Sequence, residues 1–307
     1  FYGENRNDIL IPSGQRAVPE WFGASPPAFN RGQVEVRGYE IVLGANYTFT
    51  NGLNLFGNLN FNQAKDIVLD REDPEFRPFY QKAAGYTIGQ PRSAIPGDIL
   101  SSLDDLYSST PRVNGQDAIR TGYYNLHDYD GDGIYNGNFD NVPFGFPVRP
   151  QRNWSATVGA KYKGLKLSLQ FYGTQNTNRS YLSRTFTNQT DTFFTQDLGY
   201  WTKDNPTGVR TQPTFGFDQG ASDPRRSFWD GSLTRLRAIA INYTVPKKTC
   251  KNLGVKALSF FANGNNLFLW TDLPDDREFN SSLTADSRFR GDYPNLARFN
   301  FGFNLDF

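Results

Sequence analysis

The residues most capable of chemistry form an acidic segment at positions 128–133, with the sequence DYDGDG. Asp128, Asp130 and Asp132 occupy alternate positions, and Gly133 permits a sharp turn after them. Carboxylate oxygens at this spacing begin a Ca²⁺-binding loop. Carboxylates held this close together repel one another unless a cation lies between them. The pattern therefore indicates a structural Ca²⁺ or a similar divalent ion.

The residues after this segment supply further oxygen donors. The backbone carbonyl of Ile134 is expected as the fourth ligand, and Asn136 and Asn138 can add oxygens directly or through water. Asp140 is the nearest later carboxylate, but it stands one position beyond the bidentate Glu of an EF-hand, and no helices flank the loop. An EF-hand proper is therefore not expected. A polar turn that binds no ion is the alternative.

The sequence contains few residues of the kinds that carry out nucleophilic or acid–base catalysis. It contains one His, His127, and one Cys, Cys250, which can form neither an internal disulfide nor a paired-thiol zinc site. Adjacent acids such as Asp104 and Asp105 are interpreted as solvated loop charges, because neighbours in sequence do not predict two carboxyl groups facing a glycosidic bond. We therefore expect no enzyme. The 32 basic and 31 acidic residues give a net charge of +1, which argues against nucleic-acid binding.

The composition excludes one kind of membrane protein and favours another. The mean hydropathy of −0.60 and the lack of an apolar run near the ~18 residues of a spanning helix exclude a helical membrane protein. Strands of outer-membrane barrels are apolar on one face only, so such barrels remain hydrophilic on average. Aromatic residues reach 16 %, with 27 Phe and 16 Tyr, which favours strands and aromatic girdles.

Period-two alternation of apolar with small or polar residues recurs in paired segments. Asn51 and Gly52 supply a tight hairpin turn within the first pair. The pairs are 41–49 with 53–61, 154–162 with 165–171, and 239–245 with 256–270, followed by a last strand at 299–307. Together with a partial strand near residues 1–11, the pattern predicts about eight antiparallel strands, each with one apolar and one polar face.

The connections between these strands alternate in length. They are short at 51–52, at 163–164 and around Pro246, and long at roughly 11–33, 67–152, 176–229 and 271–294. Outer-membrane barrels have short periplasmic turns and long extracellular loops, so we expect the long loops outside the cell and Phe307 at the periplasmic end. A soluble lectin-like sandwich, the alternative fold, would explain the alternation but not the sorting of loop lengths.

Small polar residues dominate the inward rows and suit a wide lumen. We therefore expect the chain to form about the last eight strands of a larger, plugged transmembrane barrel of about 22 strands. Trp and Arg residues near strand ends commonly anchor to lipid headgroups. The predicted anchors are Trp154, Trp229, Arg235, Arg237 and Phe307. Arg235 and Arg237 would share one strand face, and binding of a ligand by either Arg is the alternative.

The order of several segments resembles the SusC/RagA-like TonB-dependent receptors of Bacteroidota. These segments are Gly38-Tyr39-Glu40, GYTIG at 85–89, DYDGDG at 128–133, WTKDNP at 201–206, DGSLTRLR at 230–237, YTVP at 243–246, NGNNLF at 263–268, and the closing strand through Phe307. The resemblance extends over essentially the whole chain. On this resemblance, residues 1–307 are the C-terminal portion of a receptor barrel, without the plug and the N-terminal regions. Because the sequence contains no Met and starts at Phe1, we expect it to be a segment of a longer protein.

The resemblance also implies a function. Such receptors pair with a SusD-like surface lipoprotein and import glycans or oligopeptides with energy delivered by TonB, through a region outside this chain. Outer-membrane lipid and lipopolysaccharide would surround the barrel. The alternative is a structural barrel subunit of an outer-membrane assembly or secretion complex, which uses its loops as protein-binding surfaces.

Overall fold

The structure, a computed structural model, describes residues 1–18, 23–113, 119–180, 199–208, 228–273 and 295–307. Its main feature is one antiparallel sheet of eight strands. These strands are β1 (Tyr2–Ile11), β2 (Phe29–Thr48), β3 (Asn54–Asp70), β8 (Arg152–Tyr162), β9 (Leu165–Gln175), β12 (Leu233–Thr244), β13 (Ala257–Thr271) and β14 (Arg298–Asp306). The predicted all-β antiparallel architecture is confirmed.

Shorter elements lie in the connections. The short strands are β4 (Arg92–Ser93), β5 (Pro96–Ile99), β6 (Tyr124–Leu126), β7 (Val142–Pro143), β10 (Asn178–Ser180) and β11 (Phe228–Asp230). They pair as β4 with β7, β5 with β6, and β10 with β11. The helices are α1 (Leu103–Tyr107), α2 (Lys247–Asn252) and two 3-10 turns at Ser13–Gln15 and Phe79–Gln81. No helix in the described part of the chain has the length and apolar character needed to cross a membrane.

The eight long strands follow one another in the sheet in chain order, and β1 and β14 form its two edges within the described residues. Their register places the apolar residues in continuous rows. Leu43 lies opposite Leu59, Leu59 opposite Ala156, and Ala156 opposite Phe171. Because side chains alternate between faces along a strand, these rows share one face. We call it the apolar face.

The opposite face, here called the polar face, carries amide and hydroxyl side chains that bond between strands. Asn54 donates to the side-chain oxygen of Asn46 at 2.5 Å, and Asn60 donates to Ser155 at 3.3 Å. On the same face near the other edge of the sheet, Asn300 donates to Asn263 at 2.8 Å. This amphipathic sheet has the strand pattern of a barrel wall between lipid and a polar lumen.

The connections sort by length to the two ends of the sheet, as expected. Residues 49–53, 163–164 and 245–256 connect strands at one end, and the four longer connections leave and re-enter the sheet at the other. The third short connection, expected around Pro246, contains the short helix α2, and Pro246 is the N-cap residue of this helix. Pro suits the start of a helix, since its fixed φ fits there and its missing N–H needs no partner. The helix buries Cys250, which is 2 % exposed.

The long connection between β3 and β8 has a fold of its own. A small core of Ala94, Tyr124 and Leu126 packs where β5 meets β6. Asp105, which we expected to be a solvated loop charge, instead caps α1. Its backbone N–H donates to the Ser102 hydroxyl at 3.0 Å, and its carboxylate accepts from the Ser102 backbone N–H at 2.9 Å. This reciprocal pair is a capping box.

Candidate functional site

The acidic loop lies in this long connection, between β6 and β7. One carboxylate oxygen from each of Asp128, Asp130 and Asp140 lies within 4.8 Å of the other two. Asp140 is fully buried, whereas Asp130 is exposed. The loop thus turns back on itself and brings a later carboxylate beside the two that begin the motif. We call these three residues the acidic cluster.

Backbone hydrogen bonds hold the acidic cluster in place. Asp140 accepts from the N–H of Tyr129 at 2.7 Å through Oδ1 and from the N–H of Asn136 at 2.5 Å through Oδ2. Asp128 accepts from Gly131 at 2.7 Å and from Gly133 at 2.6 Å. Their φ angles are +79° at Gly131 and +91° at Gly133, in a region that only glycine adopts freely. The glycines of the motif therefore allow the turn that wraps the backbone around Asp128.

Other predicted ligands point elsewhere. The Oδ1 atom of Asp132 accepts from the backbone N–H of Ile134 at 2.8 Å, and Asp132 is not part of the acidic cluster. The side-chain oxygen of Asn136 accepts from the N–H of Asn138 at 3.1 Å. The structure thus assembles Asp128, Asp130 and Asp140, and it uses Asp132 and Asn136 to shape the turn.

The carboxyl groups of the acidic cluster differ in their electrostatics. Although the residue is exposed, partial desolvation of its carboxylate by the surrounding loop, together with repulsion from Asp132 and Asp140, raises the pKa of Asp130. Burial also acts to raise the pKa of Asp128, but the N–H donors of Gly133 and Gly131 outweigh it and lower that pKa. Like charges this close favour protonation of one member or a cation between them. Oxygen donors of this kind suit a hard cation such as Ca²⁺.

The predicted membrane anchors occupy different surroundings. Trp154 lies on the apolar face, opposite Gly173. Trp229 lies on β11, opposite Arg179. Phe307, after the last strand, is exposed. Membrane anchoring by Trp154, Trp229 and Phe307 therefore stays a prediction.

The expectation that Arg235 and Arg237 share a strand face depends on uninterrupted alternation, which β12 does not have at this point. A register shift between Leu236 and Ala238 interrupts the alternation, as bulges do. Arg235 lies opposite Tyr172 on the polar face and is 1 % exposed, whereas Arg237 is exposed. Arg235 is thereby placed away from the apolar face on which lipid anchors would act.

A polar group on the apolar face was missed in the sequence. Gln63 accepts through one side-chain oxygen from the Tyr39 hydroxyl at 3.2 Å and from Nε of Arg152 at 2.8 Å. Two residues further along β3, Lys65 lies directly opposite Arg37 of β2. The sequence could have predicted this polar group. Gln63 and Lys65 continue the series of every second residue that contains Leu59 and Phe61, so all four lie on the same face of β3.

A cleft of about 360 Å³ lies on the polar face at the end that carries the long connections. Val34 and Val68 form part of its apolar wall, and Gln90 and Arg92 contribute polar groups. Asp66 holds the covering loop, since its carboxylate accepts from the Thr87 hydroxyl at 2.7 Å. The cleft can receive a group with both apolar and hydrogen-bonding parts.

Comparison with known proteins gives a consistent result. No protein-family model matches the chain. TonB-dependent receptor P26 of Formosa agariphila is 26 % identical over 325 residues, and TonB-dependent receptor P3 of the same organism is 22 % identical over 332 residues. Each match covers 100 % of this chain and 32 % of the relative. The chain thus spans about a third of the length of these curated relatives.

Solved structures share the fold. The RagAB peptide importer in the closed-closed state matches with a TM-score of 0.66 at 18 % identity, over 99 % of this chain and 33 % of that chain. The RagAB peptide transporter matches with a TM-score of 0.63 at 17 % identity, over 99 % and 32 %. These relatives are named as receptors and importers, in agreement with the expectation that the chain is not an enzyme. In sequence the chain is similar over its whole length to TonB-dependent receptors, and its fold is that of one section of their outer-membrane β-barrels, which confirms the predicted resemblance.

Proposed function

We propose that the chain forms part of the barrel wall of an outer-membrane importer. The importer takes up a nutrient, a glycan or an oligopeptide, with energy from TonB, and it works with a SusD-like surface lipoprotein. The similarity of the whole chain to TonB-dependent receptors carries this proposal. The amphipathic sheet supports it, because it offers one face for lipid and one for a polar lumen.

The orientation in the membrane is part of the proposal. The four long connections lie outside the cell, and the three short ones and Phe307 face the periplasm. The sorting of connection lengths to the two ends of the sheet supports this orientation, since outer-membrane barrels carry their long loops outside. The rest of the barrel, the plug and the TonB-contacting region would come from outside residues 1–307.

The cleft near Arg92 is a candidate contact for the imported ligand, because it opens on the polar face at the end proposed to be extracellular. Arg92 lies over the ring of Tyr86 at 5.1 Å and donates to the backbone carbonyl of Tyr80 at 3.1 Å. These bonds position the guanidinium at the edge of the cleft. The two solved relatives are named for peptide import, which supports an oligopeptide as one ligand class.

We also propose that the acidic cluster binds a structural Ca²⁺. Asp128, Asp130 and Asp140 would be its carboxylate ligands. The ion would relieve the repulsion among these carboxylates and stabilise the long connection between β3 and β8. Its role is structural, at the end of the barrel where ligand would enter.

The test is purification of the full-length protein from native outer membranes in mild detergent, with identification of every bound component by mass spectrometry. We expect a SusD-like lipoprotein and a trapped glycan or peptide. In parallel, uptake of that ligand is measured in cells that lack the gene and in cells that lack TonB, and we expect both to lose it. Recovery with secretion or assembly subunits, without a ligand, would replace the import proposal with the scaffold alternative.

A further inference from the structure

Three basic side chains lie close together on the apolar face, beyond its apolar rows. Arg37 on β2 is the direct partner of Lys65 on β3, and Arg152 on β8 is the direct partner of Gln63. Directly opposite side chains have Cβ atoms about 5 Å apart, and diagonal neighbours about 7 Å apart. Arg152 is therefore the diagonal neighbour of Lys65. We call Arg37, Lys65 and Arg152 the basic cluster.

On the same face, the basic cluster lies next to a group of aromatic residues, on the side nearer to the long connections. Phe61 is the partner of Trp154, and its ring stacks with Tyr39 at a centroid distance of 5.8 Å. Gln63 follows Phe61 by two positions and Lys65 by four, or about 7 and 13 Å along the strand. Aromatic rings of barrel proteins mark the boundary between hydrocarbon and headgroups. The cluster is thus placed at headgroup level.

The local charges leave the cluster basic. Glu35 lies two positions from Arg37 and pairs with it at 2.6 Å, which offsets one of the three positive charges. The side chain of Arg37 is nevertheless 77 % exposed. Lys65 is exposed as well and faces Arg37 directly. Directly opposite like charges are unfavourable, and Glu35 compensates only one of these two, so a further anion would stabilise the pair. Gln63 adds an amide group, whose oxygen is already bonded to Tyr39 and Arg152.

We propose that the basic cluster binds the phosphate groups of lipopolysaccharide in the outer leaflet. This inference rests on the orientation proposed above, which places this end of the strands at the cell surface. Lipopolysaccharide fits because its phosphates lie at headgroup level and its acyl chains would run down the apolar rows beside Phe61 and Trp154. Two guanidinium groups and one ammonium suit phosphate oxygens as charge-assisted donors. The lipid would hold strands β2, β3 and β8 together at the outer rim.

The experiment measures binding of purified lipopolysaccharide to the full-length protein after delipidation in detergent. The variant is R37Q/K65Q/R152Q. The matched control is K161Q/K166Q, a facing pair of lysines on the polar face. We expect the triple variant to bind lipopolysaccharide about tenfold or more weakly, on the scale expected for three cations near anionic lipid, with a reduced dependence on salt. The control should bind like the unmodified protein.

A second measurement does not depend on any variant. The unmodified protein should bind lipopolysaccharide more tightly than the same lipid stripped of its phosphates, and more tightly than phosphatidylglycerol. Equal binding of all three lipids, or unchanged binding by the triple variant, would overturn the inference. Loss of a protein partner from the triple variant with lipopolysaccharide binding intact would overturn it too and assign the cluster to that partner. Import is assayed in cells that carry the same variants, so that failure of lipid binding is distinguished from failure of the proposed function.

Discussion

The indole ring of Trp154 occupies the space over Gly173, its direct partner across β8 and β9. A Cβ at Gly173 would stand 2.6 Å from Cε2 of that ring. The same relationship, an aromatic ring over a directly opposite glycine, occurs in three further pairs: Tyr2 over Gly38, Phe56 over Gly159, and Phe261 over Gly302. Aromatic residues that cover glycines in this way help to fix strand register.

Replacement of this glycine tests the packing. A Cβ at position 173 would also lie 2.7 Å from the carbonyl oxygen of Leu233, which is backbone and cannot swing away. We expect Gly173→Ala to destabilise the barrel by about 1–3 kcal/mol, the usual cost of overpacking. Urea unfolding of the full-length protein in detergent measures it. Gly44→Ala is the control, because a Cβ there meets nothing within 4 Å. Equal stability of the two variants would contradict the packing described.

A charge placed on each face tests which face meets lipid. Leu169 lies on the apolar face, and its neighbour Ser168 lies on the polar face. We expect Leu169→Lys to cost about 2–4 kcal/mol, as lysine does near the middle of the membrane. Ser168→Lys should cost little. Assembly is measured as the heat-modifiable band in gels of outer membranes, and the reverse order of the two variants would show that the faces are exchanged.

Removal of carboxylates inside and outside the acidic cluster tests the proposed Ca²⁺ site. We expect Ca²⁺ to protect residues 119–151 from trypsin in the full-length protein, and chelation to remove the protection. Asp128→Asn with Asp130→Asn should abolish the effect of Ca²⁺, because both carboxylates belong to the acidic cluster. Asp132→Asn should retain it, since its carboxylate lies outside the cluster and bonds to Ile134. Protection that is independent of Ca²⁺ in every variant would refute the site.

The ion pair of Arg16 and Glu72 gives an expected dependence on pH. Arg16 donates to Glu72 at 2.9 Å, and the Glu72 side chain is only 16 % exposed. The hydrogen bond from Arg16 lowers the pKa of Glu72. A lowered pKa means that the pair stabilises the fold at neutral pH and loses this effect as the pH falls below the ordinary value of about 4.3. The protection of residues 13–18 against hydrogen exchange, measured relative to the intrinsic exchange rate at each pH, should fall over that range, and Glu72→Gln should show the lower protection already at neutral pH.

The sheet could be predicted because its determinants are local. The period-two pattern of residues 154–162, the turn at Lys163 and Gly164, and the run at 165–171 appear in the structure with the expected pairing. The lengths of the connections are also a property of the sequence. Both signals depend on residues near each other in the chain.

Features that depend on distant residues were missed or misjudged. The register shift beside Arg237 has no marker in the sequence and moves Arg235 off the expected face. Asp140 was named from the sequence as the nearest later carboxylate, but its spacing matches no standard motif and did not predict that the loop turns back through Asn136 to bring it to Asp128 and Asp130. The basic cluster joins residues from three strands, so only the register brings them together. The capping box at Ser102 and Asp105, in contrast, was readable from its spacing.

The proposal that the chain forms part of an outer-membrane barrel is tested most directly by the side of the membrane on which each end of the sheet lies. Tyr107, in the long connection between β3 and β8, is 85 % exposed, and Asn51 lies in the short turn between β2 and β3. Tyr107→Cys and Asn51→Cys are made separately in the full-length protein, after other accessible cysteines are replaced, and intact cells are treated with a membrane-impermeant maleimide. Cys250 is buried and should not react. The proposed orientation predicts labelling of the cysteine at position 107 on intact cells, and of the one at position 51 only after the outer membrane is permeabilised. Labelling of position 51 on intact cells, or equal labelling of both, would contradict it.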